Sequence, residues 1–224
     1  MKITIFDTLP STNDYCEARE FDEDTAIIAR EQTGGKGTKG RSFSSPLGGV
    51  YLSLVRYYPC KAENTFSLMI ASCMAVVKTL EFYGAHADIK WPNDVFLSGK
   101  KICGILIKNS FEGENVKKSI TGIGVNVNND IPKDLADIAI NLKSVVGEVD
   151  VEDFYKRLIG NLYADYSVEE YRSRNIVLGK DKREITVIRN GESRKAVAED
   201  IAPDGSLVLK GGERLFYGEV TIRF

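Results

Sequence analysis

The sequence is poor in the side chains that most often build metal centres and nucleophile–histidine pairs. Its 224 residues include one histidine and four cysteines, and no two cysteines form a C-x-x-C pair. The single histidine, His86, lies in a Gly-Ala-His-Ala context that is typical of a loop. A zinc site built from protein ligands and a Ser-His-Asp triad are therefore disfavoured, and no G-x-S-x-G elbow is present. We expect the cysteines to be buried, reduced thiols.

Neither sign of charge dominates the sequence. Lysine and arginine number 30 against 32 aspartate and glutamate residues, which gives a net charge of −2. No global basic field therefore draws the chain to nucleic acid or to a membrane. The N-terminus lacks the apolar segment of a secretory signal, and no apolar run approaches the roughly 20 residues that span a bilayer. We expect a cytoplasmic protein with no nucleic-acid or membrane partner, in which any anion site is local.

Hydrophobic periodicity predicts the arrangement of helices and strands. Apolar residues at spacings of three and four predict amphipathic helices over 63–83 and 151–171. Runs at 88–97, 102–108 and 119–127 are separated by short turns, which favour antiparallel neighbours. Closely spaced short strands over 184–224 predict a small β-barrel. The predicted fold class is α+β: a mixed, largely antiparallel sheet with helices on one face over 1–180, and a C-terminal barrel over 181–224.

A glycine-rich stretch matches the G-x-G-x-x-G pattern of dinucleotide-binding folds. Residues 35–40 read Gly-Lys-Gly-Thr-Lys-Gly, and Ser-Phe-Ser-Ser-Pro-Leu-Gly-Gly follows at 42–49. A dinucleotide fold needs a helix after its glycines, whereas Pro46 and the paired glycines predict a loop leading into a strand. A Walker A loop is also excluded, because no Gly-Lys-Ser/Thr tripeptide occurs. Lys36, Lys39 and Arg41 among the glycines favour an anion-binding loop, and a solvated surface loop is the alternative.

The loop belongs to an ordered series of short motifs. Ser-Thr-Asn at 11–13 and Gln32 precede it, and Tyr-Leu-Ser-Leu at 51–54 follows. Lys-Trp-Pro-Asn-Asp at 90–94, Lys-Ile-Cys-Gly-Ile-Leu at 101–106 and Gly-Ile-Gly-Val-Asn-Val-Asn at 122–128 complete the order. The series closely resembles the biotin protein ligases, also called biotin–[acetyl-CoA-carboxylase] ligases. The run at 198–220 is similar to the small Src-homology-like barrel of that family, so the resemblance covers essentially the whole chain.

The resemblance implies an ATP-dependent ligase. Members of the family form biotinyl-5'-adenylate from biotin and ATP, then transfer biotin to one lysine of a biotin carboxyl carrier domain of a carboxylase. The implied cofactors are ATP and Mg²⁺, and biotin is the implied substrate. Some relatives carry an N-terminal DNA-binding domain; the first predicted strand here begins at Lys2, so we expect the short form without DNA binding. Whether two copies pair as a homodimer is left open.

Motif positions that match the family imply a set of site residues. Lys101 and Arg41 are the implied catalytic residues, and Lys101 is expected to contact the biotin carboxylate and the phosphate. The implied biotin-binding residues are Ser11, Thr12, Asn13, Gln32, Gly35, Lys36, Gly37, Thr38, Lys101, Gly104 and Gly122. The implied nucleotide-binding residues are Lys36, Arg41, Asn93, Asp94 and Asn126, with Asn126 also the implied neighbour of Mg²⁺.

The chain departs from the family pattern in the glycine-rich loop. Many relatives carry arginine where this chain has Lys36 and Thr38, and tryptophan where it has Phe43. Arginine binds a carboxylate through two parallel hydrogen bonds, which lysine cannot form, so we expect weaker retention of the adenylate. A lipoate–protein ligase and a non-catalytic biotin sensor are the alternatives. The motif at 90–94 argues against the first, and Lys101 with the charged loop argues against the second.

Overall fold

The computed structural model describes residues 1–57, 60–178, 184–189, 191–218 and 220–223. These residues form a larger unit of helices and strands and a smaller C-terminal sheet. The predicted domain boundary between residues 180 and 181 lies outside the described residues, as does Glu219 of the C-terminal motif. The division into two domains therefore stays a prediction.

A seven-stranded sheet is the centre of the larger unit. Its strands are β1 (Lys2–Leu9), β2 (Thr25–Gln32), β3 (Val50–Arg56), β4 (Ala87–Lys90), β5 (Asp94–Leu97), β6 (Lys100–Glu112) and β7 (Asn115–Val125). They lie in the order β1-β2-β3-β7-β6-β5-β4. The β1–β2 pair is parallel, and the other five pairs are antiparallel. The predicted mixed, largely antiparallel sheet is confirmed.

The helices divide between the two faces of this sheet. They are α1 (Thr12–Glu17), α2 (Phe66–Phe82), α3 (Lys143–Val146), α4 (Val151–Asn161) and α5 (Val168–Ser173), with short 3-10 turns at Thr38–Gly40, Ala62–Asn64, Lys133–Leu135 and Ile176–Leu178. The main core lies on the face covered by α2, α4 and α5. Since neighbouring strand residues point to opposite faces, Ile28 joins this core while Ile27 joins a smaller cluster with Cys16 of α1. The short helix α1 thus packs on the other face.

Two predicted elements are each divided in the structure. The helix predicted over 151–171 is two helices, because Ser167 starts a new one with a capping box that includes Glu170. The strand predicted over 88–97 is the hairpin β4–β5, in which Ile89 pairs with Val95. Residues 91–93 form the turn, where Pro92 has no N–H to donate to a strand ladder. Both predictions of a single element were wrong.

The expectation that no apolar segment approaches the length that spans a bilayer also needs correction. The helical stretch Ala62–Phe82, 21 residues long, is apolar enough by length and composition to cross a membrane, and 67% of its apolar window is buried inside the protein. A buried core helix satisfies the same criteria.

The four cysteines are free thiols, three of them buried and Cys60 half-buried. Burial raises the pKa of Cys16 to about 12, which makes its thiol a poor nucleophile.

The C-terminal residues form a five-stranded antiparallel sheet where a small barrel was predicted. Its strands are β8 (Glu184–Arg189), β9 (Glu192–Ile201), β10 (Leu207–Leu209), β11 (Arg214–Leu215) and β12 (Thr221–Arg223), in the order β11-β10-β9-β8-β12. The sheet docks on the larger unit at Trp91, whose indole Nε1 donates to Gly205 O at 2.9 Å. Gly205 has a φ of +83°, and a side chain there would collide with the ring of Phe66.

Candidate active site

A pocket opens on the α1 face of the large sheet, between the first turn of α1, the glycine-rich loop and strands β6 and β7. Its lining is Ser11, Thr12, Asn13, Gln32, Lys36, Gly37, Thr38, Phe43, Leu52, Ser53, Asn93, Lys101, Gly104, Ile105, Leu106, Gly122, Ile123 and Gly124. Polar side chains and two lysines thus share this lining with glycine and apolar residues of the strands.

Three glycines on β6 and β7 make room for the side chains around this pocket. Gly104 pairs with Gly124, and Gly122 pairs with Leu106. A Cβ atom on Gly122 would lie 2.9 Å from Nδ2 of Asn13, and one on Gly124 would lie 2.6 Å from the ring of Phe43. The glycines are therefore required by packing, since a methyl group at either place would displace a neighbouring side chain.

The first turn of α1 presents three polar residues to the pocket. Ser11 caps the helix, because its Oγ accepts the backbone N–H of Asp14 at 3.3 Å. The Thr12 backbone N–H donates to Oε1 of Gln32 at 2.8 Å, and the Thr12 hydroxyl donates to the same oxygen at 3.1 Å. Ser53 Oγ on β3 donates in turn to the Thr12 hydroxyl at 2.9 Å. Ser11, Thr12 and Gln32 are thus bound to other parts of the protein.

Asn13 differs from its neighbours. Its side chain lines the pocket and is 5% exposed, yet neither Oδ1 nor Nδ2 has a hydrogen-bond partner among the described residues. A buried polar group without a partner costs about 1–3 kcal/mol. Such a carboxamide, with one acceptor and one donor group side by side, is suited to a ligand that offers the complementary pair.

Lys101 lies at the other side of the pocket, near the start of β6. Its Nζ is 2.6 Å from Oδ1 of Asp94, and its side chain is one-third exposed. Its backbone is fixed on both sides, since Lys101 N–H donates to Ile138 O at 2.9 Å and Lys101 O accepts from Ile140 N–H at 3.0 Å. The structure therefore presents a cation, held by one carboxylate, to any ligand in the pocket.

The glycine-rich loop forms a hairpin over the pocket. Phe43 N–H donates to Gly35 O at 2.8 Å, and Gly37 N–H donates to Arg41 O at 2.6 Å. The Lys36 ammonium lies 2.6 Å from Oδ2 of Asp14 on α1, and this hydrogen bond raises the pKa of Lys36. The loop is thus tied to α1 by an ion pair across the mouth of the pocket.

Most of the residues implied by the resemblance meet in this one place. Of the predicted biotin-binding residues, Gly35 alone is missing from the described lining; it lies in the first arm of the hairpin, where a side chain would collide with Phe43 O. Among the predicted nucleotide-binding residues, Lys36 and Asn93 line the pocket, while Arg41, Asp94 and Asn126 do not. Asp94 contacts Lys101 directly. The ligand roles of all these residues stay predictions.

Arg41 and Asn126 have protein partners elsewhere. Arg41 Nη2 donates to the Thr38 hydroxyl at 3.0 Å, so the arginine braces its own loop. Asn126 is buried, and its Oδ1 accepts from Nδ2 of Asn129 at 3.1 Å. Phe43 and Ser53 also line the pocket, although the motifs did not predict them for the site; Ser53 lies in the motif at 51–54, and Phe43 is a departure from the family pattern.

Comparison with known proteins identifies relatives of this chain. A family model described as "Biotin/lipoate A/B protein ligase family" matches residues 5–126. The "Bifunctional ligase/repressor BirA" of Bacillus subtilis is 40% identical over 131 residues, which are 56% of this chain and 40% of the relative. The "Biotin--[acetyl-CoA-carboxylase] ligase" of Mycobacterium tuberculosis is 27% identical over 206 residues, covering 84% of this chain and 74% of that protein.

Solved structures share the fold along the whole length. The biotin protein ligase from Aquifex aeolicus in complex with biotin and ATP has a TM-score of 0.81 at 24% identity, covering 99% of this chain and 98% of that one. The matched region spans only about 40% of the length of the Bacillus subtilis relative. Because the family model matches more than half of the residues and includes the pocket from Ser11 to Gly124, the chain belongs to the biotin/lipoate A/B protein ligase family.

Proposed function

We propose that this chain activates biotin with ATP to biotinyl-5'-adenylate and transfers the biotinyl group to a lysine of a biotin carboxyl carrier domain of a carboxylase. One observation carries the proposal: a single pocket holds the carboxamide of Asn13, which has no hydrogen-bond partner among the described residues, and the ammonium of Lys101. Biotin has matching groups at its two ends, a cyclic urea and a carboxylate.

The Asn13 side of the pocket suits the cyclic urea. A urea offers N–H donors and a carbonyl acceptor, which are the complement of Oδ1 and Nδ2 of Asn13. The dithiolane ring of lipoate offers neither group, so it would leave the Asn13 carboxamide without partners at the cost described above. Leu106 and Phe43 provide apolar surface for the ring and the alkyl chain of the ligand. This arrangement favours biotin over lipoate.

The Lys101 side suits the chemistry of activation. A carboxylate oxygen of biotin attacks the α-phosphorus of ATP, the bond to the bridging oxygen breaks, and pyrophosphate leaves. Two anions meet in this step, and a positioned cation lowers its barrier. In the second step the amine of the acceptor lysine attacks the acyl carbon, loses a proton, and AMP leaves. Lys101 is the group that we assign to the carboxylate and the α-phosphate, with Asp94 orienting it.

The described residues do not form a cluster of side chains that could hold a metal ion by themselves. Across the part of the chain that the structure describes, no three His, Cys, Asp or Glu residues cluster closely enough to hold one. This composition fits Mg²⁺ bound chiefly by phosphate oxygens and water, because Mg²⁺ commonly takes only one or two carboxylates from a protein. Asn126 remains the proposed neighbour of Mg²⁺, and Asn93, Asp94 and Asn126 remain the proposed nucleotide neighbours. When bound, Mg²⁺ would neutralise charge on the phosphates.

Pyrophosphate exchange into ATP tests the proposal. The purified chain with Mg²⁺ is assayed with biotin, with lipoate and without either acid, alongside Lys101→Ala. We expect exchange with biotin alone, lost in the variant. Exchange with lipoate instead would assign the chain to the lipoate-ligase branch of the family. Biotin binding without exchange would identify a sensor.

A further inference from the structure

Four side chains join the floor of the pocket to the glycine-rich loop by an unbroken series of hydrogen bonds. Ser53 Oγ donates to Thr12 Oγ1 at 2.9 Å, and Thr12 Oγ1 donates to Gln32 Oε1 at 3.1 Å. Gln32 Nε2 donates to Ser45 Oγ at 2.9 Å, and Ser45 Oγ donates to Phe43 O at 2.9 Å. We call Ser53, Thr12, Gln32 and Ser45 the relay. Its bonds cross four separate segments of the chain.

The direction of the relay is fixed by one backbone group. The Thr12 backbone N–H can only donate, and it lies 2.8 Å from Oε1 of Gln32. The Gln32 carboxamide therefore turns its oxygen to Thr12 and its nitrogen to Ser45. The Ser45 oxygen accepts from that nitrogen, which leaves its hydroxyl hydrogen for Phe43 O. Each bond thus sets the orientation of the next.

Burial makes these bonds structurally important. Thr12, Ser45 and Ser53 are at most 4% exposed, so water does not readily replace a lost partner. Gln32 is half-buried and lines the pocket together with Thr12 and Ser53. Ser45 is outside the described lining. Ser45 can therefore affect a ligand in this pocket only through the residues to which it is hydrogen-bonded.

At the loop end, the relay holds Phe43, whose ring lies against the strand glycines. Phe43 is fixed by its carbonyl to Ser45 and by its N–H to Gly35 O, and its ring lies over Gly124. The base of the hairpin closes at the same point, where Gln32 N–H donates to Ser45 O at 3.0 Å. Ser45 thus touches both arms of the hairpin, and a Cβ on Gly35 would lie 2.5 Å from its Oγ.

We propose that Ser45 is a positioning residue that couples occupancy of the Thr12–Gln32 side of the pocket to closure of the glycine-rich loop. The inference rests on the proposed binding of biotin. A ligand that contacts Thr12 or Gln32 stabilises one geometry of the carboxamide, and the relay passes that geometry to the backbone of Phe43. Without the Ser45 hydroxyl, the pocket keeps its lining residues but loses this connection to the loop.

Hydrogen exchange of residues 33–43, with and without biotin, tests the coupling. The unaltered chain is compared with Ser45→Ala, with Ser45→Thr, which retains the hydroxyl, and with Ser44→Ala as an exposed neighbouring control. We expect biotin to slow exchange in the loop of the unaltered chain, of Ser45→Thr and of Ser44→Ala. In Ser45→Ala, we expect the biotin-induced slowing to fall by about three- to tenfold, while biotin still binds in calorimetry.

The outcomes separate this inference from the proposed function. Equal slowing of loop exchange in Ser45→Ala and the unaltered chain overturns the coupling while leaving biotin binding in place. If the unaltered chain does not bind biotin, the proposed function fails and the inference fails with it. A thermal melt of each variant shows whether the fold is retained. If Ser45→Ala does not fold, the same exchange measurement on Ser45→Cys, which has only a weak donor, decides between the outcomes.

Discussion

Replacing Asn13 by alanine should weaken ligand binding without a matching loss of stability. In the ligand-free chain, the buried Asn13 carboxamide has no partner within the described structure, so its removal takes away an unfavourable term of about 1–3 kcal/mol. Alanine is also the better helix former in the first turn of α1. These gains offset the lost packing. We therefore expect the free energy of unfolding of Asn13→Ala to stay within about 1 kcal/mol of the unaltered chain, or to rise.

Biotin binding should weaken in the same variant. Two neutral hydrogen bonds to the urea, each contributing about 0.5–1.5 kcal/mol, are lost together. The dissociation constant should accordingly rise by roughly 5- to 150-fold, since 1.4 kcal/mol corresponds to a factor of ten. Titration calorimetry with biotin measures this change, and urea unfolding without biotin measures stability.

Asn129 supplies a matched control, because it is a buried asparagine whose partners are present. Its Oδ1 accepts from Val127 N–H at 3.0 Å, and its Nδ2 donates to Asn126 Oδ1 at 3.1 Å. Asn129→Ala leaves these partners unsatisfied and should lower the free energy of unfolding by about 1–3 kcal/mol. The reasoning is refuted if Asn13→Ala is destabilised as much as Asn129→Ala and binds biotin with unchanged affinity.

Three further predictions concern the lysine, the loop and the C-terminal sheet. Lys101→Ala should reduce pyrophosphate exchange by about a hundredfold or more while its melting temperature stays nearly unchanged, because a partly exposed ion pair contributes only about 0–1 kcal/mol; near-normal exchange would remove Lys101 from the reaction. Thr38→Arg should slow release of preformed adenylate, measured by filter binding, since a guanidinium can bind the phosphate through two donors; an unchanged release rate would contradict this. Trp91→Phe removes the indole donor to Gly205 O and should lower the free energy of unfolding by about 1–3 kcal/mol in urea, and a value indistinguishable from the unaltered chain would show that this contact does not hold the two sheets together.

Short-range sequence patterns were sufficient to predict those helices and strands whose limits depend on local residues. The long helix α2 follows from periodicity, and the antiparallel strands β6 and β7 follow from apolar runs joined by a turn. Periodicity did not separate α4 from α5, because apolar residues continue through the gap while the Ser167 capping box starts a new helix. The proline-containing turn at 91–93 was likewise missed, because the strand-like residues on both sides of it predict one strand.

The sequence by itself predicted most of the polar residues that line the pocket, because the motifs that carry them are contiguous letters in a fixed order, although it missed Phe43 and Ser53. Tertiary structure alone decided what each of these residues is free to do. Thr12 and Gln32 are hydrogen-bonded to each other, whereas the Asn13 side chain beside them has no partner in the described residues. Ser45 joins the relay only because the chain returns to Gln32 after the hairpin. Hydrogen-bond partners are set by contacts between distant segments, and such contacts exist only once the sheet has brought those segments together.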